Sequence, residues 1–77
     1  MKRAYVFFNV SSGAEEQVLK AAELIEGVQE AHVTYGVYDL VLKVNADSME
    51  ELKQLVTHRL RSIGNVRSTM TLMLTEE

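Results

Sequence analysis

The chain has no cysteine and only two histidines, His32 and His58. Without cysteine no disulfide can supplement a small core. The histidines stand on different expected elements, and neither has a partner at metal-ligand spacing. No metal and no cofactor is therefore expected. Ser11, Ser12 and Ser62 lie in no nucleophile-elbow pattern, and Gly13 stands alone rather than in a phosphate loop. An acylphosphatase-like enzyme would need an arginine in the loop after the first strand, and "NVSSGAEE" has none. The predicted core is aliphatic, without the titratable interior a barrel enzyme needs, so no enzymatic activity is expected. Basic charge is also scarce, with 8 Lys and Arg against 11 Asp and Glu and a net charge of −3. That balance opposes non-specific nucleic-acid binding, which depends on neutralising phosphates. No signal-peptide pattern opens the chain, and no apolar run approaches the ~20 residues of a membrane span. A cytoplasmic location is the expectation, with no membrane partner.

What is present is a hydrophobic chain, 47% apolar over 77 residues, read as one domain spanning 1–77. A domain of this size buries only about 60–65% of its unfolded surface. Self-association is the remaining source of stability. "RAYVFFNV", Arg3 to Val10, reads as a strand. A helix is expected from Ala14 to Glu26, capped by Ser11 or Ser12 and ended by Gly27. Strands follow at Val28 to Tyr35 and Tyr38 to Asn45, turning at the Gly36-Val37 corner. Asp47 and Glu50 have the spacing of a capping box for a second helix, whose apolar face is Leu52, Leu55, Val56, Leu60 and Ile63. Gly64-Asn65 stops it, and Val66 to Leu74 is the last strand, with the tail expected to fray.

A weak internal repeat supports this division. "IEGV" at Ile25 returns as "IGNV" at Ile63, and at the same offset Val6 falls on Val44 and Val18 on Val56. Two βαβ halves give βαββαβ, an α+β ferredoxin-like fold. Its four-stranded antiparallel sheet has strand order 4-1-3-2 and both helices on one face.

Two helices cover only one side of such a sheet. The expectation places Val6, Phe8, Leu40, Leu42, Met70 and Leu72 under the helices. Tyr5, Phe7, Val41 and Met73 then face outward, together with Asn9, Lys43, Arg67, Thr69 and Thr71. Burying four large apolar groups stabilises by roughly 1.5–3 kcal/mol each. A face-to-face homodimer through Tyr5, Phe7, Val41 and Met73 follows. RNA-recognition domains share the topology and put aromatics on the open sheet. Here "YDLVLKVN" lacks their basic and aromatic third-strand motif, and the net charge has the wrong sign.

At the hairpin, "GVYD" (Gly36 to Asp39) has two readings. In one, Gly36 supplies a positive φ, Tyr38 packs and Asp39 bonds the turn. In the other, the corner holds a ligand. The order of Gly27-Val28, "GVYD", "VNADSMEEL" and "NVRSTMTLML" resembles the ligand-binding half of Lrp/AsnC-type transcription regulators, the RAM domain. The likeness covers almost the whole chain. It lacks the helix-turn-helix of the full-length regulators and so resembles a RAM protein standing alone.

The resemblance implies a dimeric α+β barrel or sandwich, assembled further into octameric or decameric rings. It implies an effector-sensing protein of transcription regulation or amino-acid metabolism, with an amino acid or related metabolite bound between dimers. Full-length Lrp/AsnC regulators are implied partners, in the alternative as ligand-independent ones. By position, Gly36, Val37 and Tyr38 would offer backbone groups and a ring. Asp39 would take the ammonium, and Thr69 and Thr71 would add hydroxyls. Tyr35 stands where the family commonly has threonine, and would line or fill the pocket.

Overall fold

A computed structural model describes residues 1–74, so the expected fraying of the tail lies outside the described residues. The elements are β1 (Lys2–Val10), α1 (Glu15–Glu23), β2 (Val28–Val33), β3 (Leu40–Ala46), α2 (Met49–Gln54) and β4 (Val66–Met73). A wider π-helical turn, Leu55–Arg59, continues α2. The sheet is antiparallel in the order β2-β3-β1-β4, as the βαββαβ reading requires.

Strict alternation along β1 organises the core. Ala4, Val6, Phe8 and Val10 are buried, and so are Leu40, Leu42 and Val44 on β3. Val18 and Ala22 of α1 and Leu52, Leu55, Val56 and Leu60 of the second helical segment complete the cluster. Both helices therefore cover the same sheet face. The wide turn, in which the Leu60 N–H donates to the Leu55 carbonyl at 2.9 Å, leaves both leucines facing inward. Each full burial of such a side chain is worth about 1.5–3 kcal/mol.

The ends of the elements differ from the sequence expectation in physical detail. Neither Ser11 nor Ser12 caps α1. Its cap is Ala14, with no side-chain bond, while the Ala14 N–H donates to the Ser11 carbonyl. α1 stops at Glu23, and a turn through Ile25 carries the chain to Gly27. Ser48 rather than Asp47 caps α2, accepting from the Glu51 N–H at 3.1 Å. Serine with a glutamate three residues on is the ordinary form of the motif.

The largest correction concerns β4. Thr69, Thr71 and Met73 pair with Phe8, Val6 and Ala4, so they share the helix-covered side, and Met73 packs against the core. Met70 and Leu72 pair with Phe7 and Tyr5 and face outward. Met73 is thus withdrawn from the open face, and Met70 and Leu72 take its place. The cause is a bulge. Val66 pairs with Val10 and Ser68 with Asn9, so Arg67 is an extra residue that inverts the alternation.

Gly27 has φ +103°, and a Cβ there would lie 2.9 Å from Leu55 Cδ2 and 3.1 Å from the Asn45 carbonyl oxygen. Gly27→Ala combines left-handed strain with this crowding. We expect it to lower unfolding stability by about 1–3 kcal/mol in urea titration.

Candidate functional site

The β2–β3 corner is wider than the Gly36-Val37 pair expected from sequence, because β2 ends at Val33 and β3 begins at Leu40. Thr34 closes it. Its N–H donates to the Asp39 carbonyl at 2.8 Å, and its Oγ1 donates to the Tyr38 carbonyl at 2.8 Å. Asp39 ties the corner to β1. Its N–H donates to the Phe8 carbonyl at 2.8 Å, and its Oδ2 accepts from the Val10 N–H at 2.9 Å. Gly36 has φ +133°, and a Cβ there would meet nothing within 4 Å, so backbone conformation rather than crowding selects glycine.

Tyr35 and Val37 project from the tip, at 101% and 82% exposure. Within a single chain Tyr35 therefore fills nothing. Tyr38 turns the other way, onto the open sheet face. Its ring lies 5.5 Å from that of Phe7, tilted by 46°, and its hydroxyl donates to Met70 Sδ at 3.3 Å. The tilted ring pair is a favourable arrangement, and the thioether sulfur is a weak hydrogen-bond acceptor for the hydroxyl.

The open face thus carries Tyr5, Phe7, Tyr38, Val41, Met70 and Leu72 in one apolar group. Polar residues frame it. Asn9 Nδ2 donates to Ser68 Oγ at 3.2 Å, and His32 Nε2 lies 3.1 Å from Glu30 Oε1. Tyr5, Phe7 and Val41 occupy the outward positions expected of them. Thr69 and Thr71, expected on this side, lie on the opposite one. Thr34, Met70 and Leu72 were missed by the sequence reading. Only the Thr34 to Asp39 interval, with a glycine inside it, hints at the first. The register inversion at Arg67 hid the other two.

The profile of the Lrp/AsnC ligand binding domain matches residues 3–77. The chain belongs to this family. An HTH-type transcriptional regulator of Pyrococcus abyssi is 39% identical over 59 residues, covering 77% of this chain and 39% of the regulator. The chain thus spans about two-fifths of the length of the curated relatives it matches. A solved protein of Pyrococcus horikoshii is 31% identical with a TM-score of 0.92, covering 100% of this chain and 93% of that one. A Neisseria meningitidis transcriptional regulator, solved as a complex with L-Met, shares the fold at a TM-score of 0.85 and 17% identity, over 99% of this chain and 51% of that one. The Lrp/AsnC domain is a ligand-binding domain of regulators and not a catalytic one.

At the other end of β3 a recess of about 690 Å3 opens between the Gly27 turn and the start of α2. Glu26, Asp47, Glu50 and Glu51 line it, with Arg59. Among the described residues, no group of three or more histidine, aspartate or glutamate side chains is arranged for a metal ion. Among them, too, no helix is long and apolar enough to cross a membrane.

Thr34→Val keeps the shape of the corner residue and removes the bond to the Tyr38 carbonyl. The expected outcome is a loss of about 0.5–1.5 kcal/mol of stability, read by urea unfolding.

Proposed function

We propose that this chain is an effector-sensing module that pairs through its open sheet faces and binds a free amino acid at the hairpin corner between assembled copies. The observation that carries this reading is the continuity of the two features. Tyr38 belongs at once to the corner and to the apolar face, so a ligand at the corner meets a surface that assembly completes. Six apolar side chains on one exposed sheet form a patch of the kind that marks an interaction surface. Its rim of Asn9, Ser68, Glu30, His32 and Lys43 is the polar border an interface requires. Family membership supports an effector-binding role, and the L-Met complex of the Neisseria regulator is consistent with an amino acid as ligand.

The chemistry of the corner suits a small zwitterion. The Gly36 and Val37 backbone N–H groups take the carboxylate. Asp39 commits Oδ2 to Val10, but a carboxylate accepts through both oxygens, and Oδ1 takes the ammonium. Tyr38 supplies a ring wall. In assembled dimers Tyr35 and Val37 reach the neighbouring copy. Thr69 and Thr71 are left out of this site because the bulge turns them to the helix side. Octameric or decameric rings and co-assembly with full-length Lrp/AsnC regulators extend the same reading, with the module working in the cytoplasm.

A second reading is favoured by one observation: Thr34 and Asp39 already spend hydrogen bonds on the corner itself. In that case the chain is a ligand-independent assembly partner of full-length regulators.

Titration calorimetry with the twenty amino acids separates the two. Binding of at least one, weakened about tenfold or more by Asp39→Asn as befits a bond to a charged group, supports sensing. Silence from all twenty rejects it in favour of the second reading. Self-association is checked independently by sedimentation equilibrium. Leu72→Lys is expected to keep the fold and weaken association at least about tenfold, since it places a charge within the apolar face, beside Tyr5. Wild-type protein that sediments as a single folded copy at micromolar concentration overturns both readings.

A further inference from the structure

The β1–β3 ladder ends where Phe8 pairs with Leu40. The Asp39 N–H still reaches the Phe8 carbonyl, which makes this the last backbone rung. On β1 the next N–H that points toward β3 belongs to Val10, because alternate residues of a strand address the same neighbour. β3 has left the sheet by then. Val10 is nonetheless only 6% exposed, so its donor needs a partner within the protein. Asp39 Oδ2 is that partner, at 2.9 Å. The side chain of Asp39 continues the ladder by one rung that the backbone no longer provides.

This bond has a consequence one residue away. Asp39 is held at two points, through its N–H to Phe8 and through its carboxylate to Val10. Tyr38 precedes it directly, and its carbonyl is held by Thr34 Oγ1. With its carbonyl and the residue after it held in this way, the Tyr38 ring lies over Phe7 and Met70 of the open face.

We propose that Asp39 is a positioning residue of the assembly surface, its carboxylate locking the corner so that Tyr38 is delivered onto the apolar face. This rests on the reading that the open face is where copies pair, and it does not depend on any ligand. What the role demands is a hydrogen-bond acceptor at the Asp39 carboxylate position rather than a negative charge. An amide oxygen meets that demand, and a methyl does not.

The test is self-association of the full chain by sedimentation equilibrium, without added amino acid. Asp39→Ala is expected to weaken association about tenfold, and Asp39→Asn to stay within about threefold of wild type. In a Tyr38→Ala background the effect of Asp39→Ala should vanish, since the two changes then remove the same thing. Asp39→Ala that associates like wild type overturns the proposal, as does Asp39→Asn as weak as Asp39→Ala, or an Asp39→Ala effect that persists without Tyr38. A monomeric wild type removes the pairing reading and this inference together, whereas a wild-type dimer indifferent to Asp39 removes this inference alone. Should Asp39→Ala fail to fold, amide exchange in the wild-type protein decides. The Val10 N–H must be protected although it lies past the last backbone rung, and rapid exchange there rejects the bond on which the proposal stands.

Discussion

The pleat of β1 is the constraint on which the rest of the molecule depends. This strand is central, paired to β3 on one side and β4 on the other. Its even-numbered residues from Ala4 to Val10 are buried beneath the helices. A pleated strand cannot hide both of its sides under one helical layer. Tyr5 and Phe7 are large and apolar, and they fall on the side that receives no helix. The conflict is built into the first ten residues. Among the described residues nothing later relieves it, and the neighbouring strands deepen it by adding Val41, Met70 and Leu72 to the same side. An antiparallel sheet with one solvated face normally shows polar residues there. Here the pattern is that of a sheet with a second layer still to come.

How much of this was legible in the residues varied from one strand to the next. Elements with clear periodicity, β1 and β3 above all, were readable, and their pairing followed from the βαββαβ order. The β4 face was not, and the reason is specific. Val66, Met70 and Leu72 look like one apolar stripe at even spacing, and the natural inference puts the stripe inside. The bulge at Arg67 breaks it, leaving Val66 against the core and Met70 and Leu72 outside. No glycine marks the bulge. A bulge around an ordinary residue is set by how two strands meet, not by local propensity, so it is invisible to a reading made one strand at a time. The same holds at the second helix. Asp47 and Ser48 are both good caps, and the choice of Ser48 reflects where β3 releases the chain.

The corner was half legible. The glycine and the acid of "GVYD" announced a turn with a polar anchor. The anchor's target did not show, because Val10 is distant in sequence and becomes a neighbour only when β1 and β3 pair. Thr34 was equally silent, since its role is to close a loop wider than the expected one. Such side-chain to backbone bonds serve in place of ladder hydrogen bonds where strands diverge. They make the corner a defined structure within one chain. They also explain why the same residues admit a structural and a ligand-binding reading: a carboxylate oriented by one oxygen presents the other in a fixed direction.

The proposed site, sharing Tyr38 with the proposed pairing surface, would have a thermodynamic consequence. If a ligand at the corner binds assembled copies more tightly than separate ones, assembly must bind the ligand more tightly by the same factor. No moving part is required for such a coupling. The proposed coupling needs only a site left incomplete until a second copy arrives, as a domain with one uncovered apolar sheet face would provide. On the proposed reading, the apolar residues of the open face would then be the ones that link an effector's concentration to the state of assembly. On the same proposed reading, a chain that covered both faces of its sheet would have no assembly equilibrium for an effector to shift.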